Sequence, residues 1–224
     1  MTEAIGRIHE YLPGGQILLK VTLPEGADET EARVLFYDRE MMSGDQRRKV
    51  FALCAEISVW STGTRDDADQ IRRLMQIEFL RANMERLQLS AISLAVGGNC
   101  DKGTASMLIN YLINFCFENN VPTKEPLVCY ADSLEAYTYA ALMHKRCVIC
   151  GQKADLHHVD RIGAGYNRKT KPQIGALVMP LCRIHHGEVD ELGQHDFDEK
   201  YHTAAVPMDK RIAAKYRITG KAAS

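Results

Sequence analysis

Apolar residues recur along this chain at two spacings. Short runs at 5–11 and 16–23 flank Pro13, Gly14 and Gly15, a turn signal that predicts a β-hairpin. A third run at 32–37 is predicted to join it as a strand. From residue 43 the spacing changes to three and four. Val50, Leu53, Cys54 and Ile57 then mark one face of a helix that Ser43 can cap. Asp66 and Asp67 open a second predicted helix reaching Asn83, with Ile71, Leu74, Met75 and Phe79 along it. A third, over 102–119, carries Met107, Leu108, Tyr111, Leu112, Phe115 and Cys116 on a wide apolar face. Pro122 and Pro126 break the pattern, and 133–144 reads as a short helix. Residues 1–140 therefore predict an α+β domain in which helices dominate.

Beyond residue 143 the periodicity gives way to chemistry. Cys147 and Cys150 form a C-x-x-C clip, and Cys182 and His185 a C-x-x-H clip. Four soft or borderline ligands in two short clips suit a closed tetrahedral Zn²⁺ site. A segment of this size buries too little apolar surface to be stable alone, so zinc would act as its staple. Three imidazoles, His157, His158 and His186, are left over. L-H-H-V reads as a strand, where successive side chains point to opposite faces, so His157 and His158 face different ways. Asp190 follows His186 at helical spacing, and a histidine and a carboxylate one turn apart can grip one divalent cation. Arg161, Arg168, Lys169 and Lys171, between the clips, are either a solvated loop or contacts to phosphates. These features divide the chain into a helix-rich domain over 1–140, a zinc-stapled module over 141–206 and a tail over 207–224.

Charge sharpens this division. The formal net charge of -1 conceals 14 Lys plus Arg against 9 Asp plus Glu from residue 143 onward, which leaves 14 against 20 in the rest. The same C-terminal part holds seven of the eight histidines. The start of the chain has neither a basic nor an apolar leader region, and no apolar run is long enough to span a membrane, so a cytosolic protein with no membrane partner is expected. In a reducing compartment Cys54, Cys100, Cys116 and Cys129 are expected to be plain buried thiols.

Two resemblances add to this reading. Within 38–57, Arg39, Ser43, Asp45, Gln46, Arg48 and Lys49 form an R-x-x-x-S-x-D-Q-x-R-K pattern that resembles the NinB or Orf family of phage recombination proteins. Those proteins bind single-stranded DNA and the host single-strand-binding protein and help to load recombinase. The resemblance covers roughly 30–140 and implies a homodimer. It makes Arg47, Arg48 and Lys49 a candidate DNA-binding surface, where the residues alone also allow a solvated helix face.

The second resemblance covers about 143–205. L-H-H-V, L-C-R-I-H-H-G-E, Gly163, Gly165, Arg168, Phe197 and Tyr201 resemble the HNH endonucleases, the ββα-metal nucleases, and in particular their phage members. It implies that His158 is the general base and that His157 and His186 hold a catalytic metal. Asn167 matches the middle asparagine that braces such loops. The chain departs from the pattern at Asp190, where related sequences commonly carry a second helical histidine, and Asp as a ligand favours Mg²⁺ or Mn²⁺. The expectation is a metal-dependent DNA endonuclease of phage or prophage recombination in a bacterial host cytoplasm, acting on single-stranded or branched DNA. The rivals are a non-catalytic recombination mediator whose zinc module only binds DNA, and an adaptor that recruits the single-strand-binding protein.

Overall fold

The computed structural model describes residues 6–12, 16–21, 40–87, 89–159 and 173–218. The expected strand at 32–37 and the candidate residues Arg161, Asn167, Arg168, Lys169 and Lys171 lie outside them. The chain divides into two compact units, Met1–Asp38 and Arg39–Ser224. In the first, β1 (Gly6–Leu12) and β2 (Gln16–Val21) pair antiparallel as the hairpin pattern predicts, from Gly6 opposite Val21 to Leu12 opposite Gln16. The register shifts once between Ile8 and Glu10, where the extra residue, His9, makes a bulge.

In the second unit α1 (Gly44–Thr62) starts where the sequence says it should. Ser43 accepts from the Gln46 amide, and the Gln46 side chain accepts from the Ser43 amide, a reciprocal capping box. Gln46 does more than cap. Its buried amide nitrogen donates to the Lys102 carbonyl at 3.1 Å and to Asp132 at 2.8 Å, tying the helix start to two later segments. Gly63, at φ 79°, ends α1 in the left-handed conformation that a residue without Cβ adopts freely. α2 (Ala68–Ala82) and the single turn α3 (Met84–Leu87) follow. α4 (Lys102–Asn119) is capped by Asp101 on the Thr104 amide, and α5 (Leu134–His144) by Ser133 on the Ala136 amide. α4 lies at the centre. Ala105, Leu108, Ile109, Leu112, Ile113, Cys116 and Phe117 are all buried, and α1, α2 and α5 pack around it.

The remaining elements are β3 (Asp155–His158), β4 (Leu177–Leu181), α6 (Arg183–Leu192), α7 (Gln194–Tyr201), β5 (Val206–Pro207) and α8 (Lys210–Lys215). β4 is the middle strand, antiparallel to β3 on one side and to β5 on the other. Both faces of β4 are covered. Met179 and Leu181 join the buried cluster that also holds α1, α4 and α5, while Val178 joins a smaller one with Leu142, Val206, Met208 and Ile212.

Helices and Cys/His module share one continuous buried cluster, and by its contacts the chain divides near residue 38. Within 207–224, the expected tail, stand the end of β5 and α8, with Met208 and Ile212 buried against Leu142 and Val178. Their apolar spacing is too short to register as an amphipathic helix on its own. Among the free thiols, Cys54, Cys100 and Cys116 are buried as expected, and burial pushes them up to about 12, 11 and 12. Cys129 differs, being exposed.

Candidate functional site

Cys147 to Gly151 form a tight knuckle. The Cys147 amide donates to the Gln152 carbonyl at 2.7 Å, the Gly151 amide to the Cys147 carbonyl at 2.9 Å, and Gly151 takes φ 67°. The turn folds the C-x-x-C clip so that both sulfurs point one way. The second clip is set by a helix start: Cys182 is the N-cap of α6, and His185 stands in its first turn. The Val148 amide donates to the Pro180 carbonyl at 3.0 Å, which docks the knuckle on β4 beside that helix.

The result is one cluster of Cys147, Cys150, Cys182 and His185, as the two spacings predict. Its edges are diagnostic. Bond lengths of about 2.3 Å to sulfur and about 2.05 Å to nitrogen give a tetrahedron with S···S edges of about 3.8 Å and S···N edges of about 3.5 Å. Cys150 Sγ and Cys182 Sγ are 3.8 Å apart, and His185 Nδ1 lies 3.4 Å from Cys147 Sγ and 3.2 Å from Cys182 Sγ. The donor set therefore fits Zn²⁺, with Nδ1 the imidazole ligand. Burial works to raise the Cys182 thiol, but the His185 and Ile184 amides at the helix start and the neighbouring sulfurs outweigh it and hold it below the ordinary thiol value. Burial pushes the Cys150 thiol up to about 12, and a cation among the sulfurs would reverse that by demanding thiolates. Tyr201 packs edge-on against His185 at 5.5 Å and donates to Glu188 at 2.9 Å, while Phe197 is fully buried beneath it. Both aromatics hold α7 to the Cys/His cluster.

A second imidazole pair forms one strand away. β3 register sets His157 opposite Met179 and His158 opposite Val178, so the two histidines stand on opposite faces. His157 is buried at 8% exposure and meets α6 there: its Nδ1 lies 3.2 Å from His186 Nε2, with the rings edge to face. Burial chiefly holds His157 below the usual imidazole value; the His186 ring adds to this and a bond from Gln194 opposes it. His158 is half-buried at the end of β3, on the Leu156 and Val178 side.

Asp190 Oδ2 is 3.4 Å from His186 Nδ1, the ring nitrogen facing away from His157. The i to i+4 spacing brings the carboxylate to that edge of the ring. Among the described residues the other cluster with metal-ligating groups is His195, Asp196 and Glu199, all exposed on the surface of α7.

The basic residues of α1 have separate partners. Arg47 donates to the Leu94 carbonyl at 2.6 Å, and Lys49 to the Ala131 carbonyl at 2.7 Å, so both crosslink the helix to neighbouring loops. Arg48 is exposed beside Asp45. One site residue escapes sequence reasoning. Gln194 places Oε1 3.1 Å from His157 Nε2, and no spacing rule links positions 157 and 194. The glycine before it, Gly193 at φ 85°, was the available signal, since it marks a sharp break between two helices.

A family model described as putative HNHc nuclease matches residues 19–218. The matched span takes in α1 to α5 as well as the Cys/His module. No curated protein and no solved structure matches the chain.

Proposed function

The chain belongs to the HNHc nuclease family, and from that premise we propose that it is a metal-dependent endonuclease hydrolysing phosphodiester bonds of DNA. The observation that carries this reading is the pair His157 Nδ1 and His186 Nε2, 3.2 Å apart on a strand and a helix that the Cys/His cluster holds together. Two neutral imidazole nitrogens at that separation suit a shared divalent cation, and His157 is kept neutral by burial. In this role His157 and His186 hold the ion, Mg²⁺ or Mn²⁺, and Asp190 steers His186. The bound ion would supply positive charge where negative charge grows on the phosphate and on the leaving oxygen.

The rest of the chemistry falls to the chain. His158 takes a proton from the attacking water as its oxygen bonds to phosphorus and the bond to the 3′ oxygen breaks. A neutral imidazole is able to accept that proton. Cys147, Cys150, Cys182 and His185 keep their zinc for structure, since four protein ligands leave no open position. Asn167 is the candidate for the middle asparagine of the HNH pattern, and Arg161, Arg168, Lys169 and Lys171 are the candidates to neutralise flanking phosphates. The activity serves phage or prophage recombination, which the likeness of 38–57 to the NinB or Orf family supports. As a non-catalytic mediator the chain would depend on Arg47, Arg48 and Lys49, two of which are engaged with backbone carbonyls.

The test is metal-dependent nicking by the purified chain and its variants. His158→Ala is expected to keep both metals and DNA binding while cleavage falls by about 10² to 10⁴, the range for losing a positioned base. His157→Ala and His186→Ala are expected to lose activity that excess Mn²⁺ partly restores. A His158→Ala variant as active as wild type, or a wild type inert on every DNA form with Mg²⁺ and Mn²⁺, sinks the reading and favours the mediator.

A further inference from the structure

Gln194 is the first residue of α7, directly after Gly193 with its φ of 85°. Both ends of its amide are engaged. Nε2 donates to Asp198 Oδ1 and Oδ2 at 2.9 Å each, one turn along the helix, and Oε1 lies 3.1 Å from His157 Nε2. Thr203 Oγ1 also donates to Asp198, fixing the carboxylate from the other side. A carboxylate only accepts, so the amide nitrogen must point at Asp198 and the amide oxygen at His157. That oxygen in turn only accepts, so His157 Nε2 must carry the hydrogen. In a neutral imidazole the lone pair is then on Nδ1, the atom 3.2 Å from His186 Nε2.

The same logic holds across the site. Asp190 stands at His186 Nδ1, favours a hydrogen there and leaves the lone pair on Nε2. With both rings neutral two lone pairs then converge, an arrangement that suits a cation at the meeting point.

We infer that Gln194 is a positioning residue of the catalytic metal site: through Asp198 and Thr203 it sets the tautomer of His157 so that Nδ1 is the ligand atom. This rests on the reading of His157 as a ligand to the divalent cation. Gln194 does not touch substrate or metal. It acts through His157 alone, in the way that partners behind metal-bound histidines orient the ring and raise its basicity.

The experiment uses the full chain with its zinc in place and no other metal, labelled with ¹⁵N at histidine. Two-bond proton–nitrogen spectra of wild type are expected to show His157 with hydrogen on Nε2, slowed in exchange by its bond to Gln194. Gln194→Leu is expected to lose that slowing. It is also expected to raise the Kd for Mn²⁺, read by electron paramagnetic resonance, by about 10- to 100-fold, the usual cost of a lost partner behind a ligand. A double variant, Gln194→Glu with Asp198→Asn, reverses the polarity of the inner bond but still offers an acceptor to His157, and is expected to restore both readouts. Zinc content and circular dichroism report folding. If Gln194→Leu does not fold, the double variant decides: wild-type Mn²⁺ affinity supports the inference and its loss overturns it. Hydrogen on Nδ1 in wild type, or a folded Gln194→Leu with unchanged Mn²⁺ affinity, also overturns it. His157→Ala separates the two levels: if that variant binds Mn²⁺ as wild type does, the ligand reading itself falls and takes this inference with it.

Discussion

At the scale of single residues, this chain uses hydrogen-bond polarity to decide what each histidine can do. His144, away from the metal sites, shows it in simple form. The Asn114 amide nitrogen donates to the Asn110 carbonyl, so its oxygen faces His144 Nε2 at 2.9 Å and accepts from it. The ring also stacks on Phe117 at 5.6 Å. Burial holds His144 below the usual imidazole value, Glu118 opposes this, and Lys215 and Arg146 add to it. The folded state thus prefers the neutral ring. Its contribution to stability is present above the ordinary pKa of about 6.5 and is lost as pH falls through the lowered folded value. His144→Gln is expected to flatten the fall in unfolding midpoint between about pH 7.5 and about pH 5.5 in zinc-saturated protein. Parallel midpoint curves for variant and wild type would remove His144 from that account.

At the scale of elements, the Cys/His cluster stands where a knuckle, a strand and a helix start meet, and zinc bound there would hold them together. Structural zinc in such sites contributes on the order of 10 kcal/mol or more of folding free energy. The sequence by itself predicts a stapled module that unfolds locally when zinc is lost. The structure argues otherwise, because Cys147, Met179, Leu181 and Phe197 belong to the same buried cluster as α1, α4 and α5. Loss of zinc should therefore reach the helices. The sole tryptophan, Trp60, sits near the end of α1 with its ring edge-on to Phe115 at 6.1 Å, and it reports on that distant region. Cys182→Ser, or chelation of wild type, is expected to lower the Trp60 fluorescence transition together with the helical signal. A Trp60 transition that stays in place while the C-terminal elements melt would show two independent units.

At the scale of the whole molecule, β4 is the beam on which both clusters rest, and the end of the chain covers one of its faces. α8 and β5 bury Met208 and Ile212 beside Val178, and Tyr139 donates to Asp209 at 2.8 Å. Burying side chains of this kind is worth about 1.5 to 3 kcal/mol each. A chain ending at Val206 is expected to unfold at a lower temperature and to bind a hydrophobic dye through the uncovered Leu142 and Val178. An unchanged midpoint would make the segment a tail after all.

What the sequence determined by itself is short-range. The hairpin at 6–21, the capping box at Ser43, the caps at Asp101 and Ser133, and each of the two x-x clips follow from residues close together in sequence. Even the opposite faces of His157 and His158 follow from the two-residue period of a strand. The tertiary structure decided what depends on separate elements meeting. Arg47 and Lys49 look like a basic helix face until Leu94 and Ala131 present their carbonyls, because a charged side chain serves whichever acceptor packing brings within reach. Asp190 shares a helical face with His186 on any helical wheel. Which ring nitrogen it meets depended on β3 turning His157 toward the other one. Gln194 entered the site because Gly193 bends the chain between α6 and α7, and that angle is written in packing and not in any periodicity.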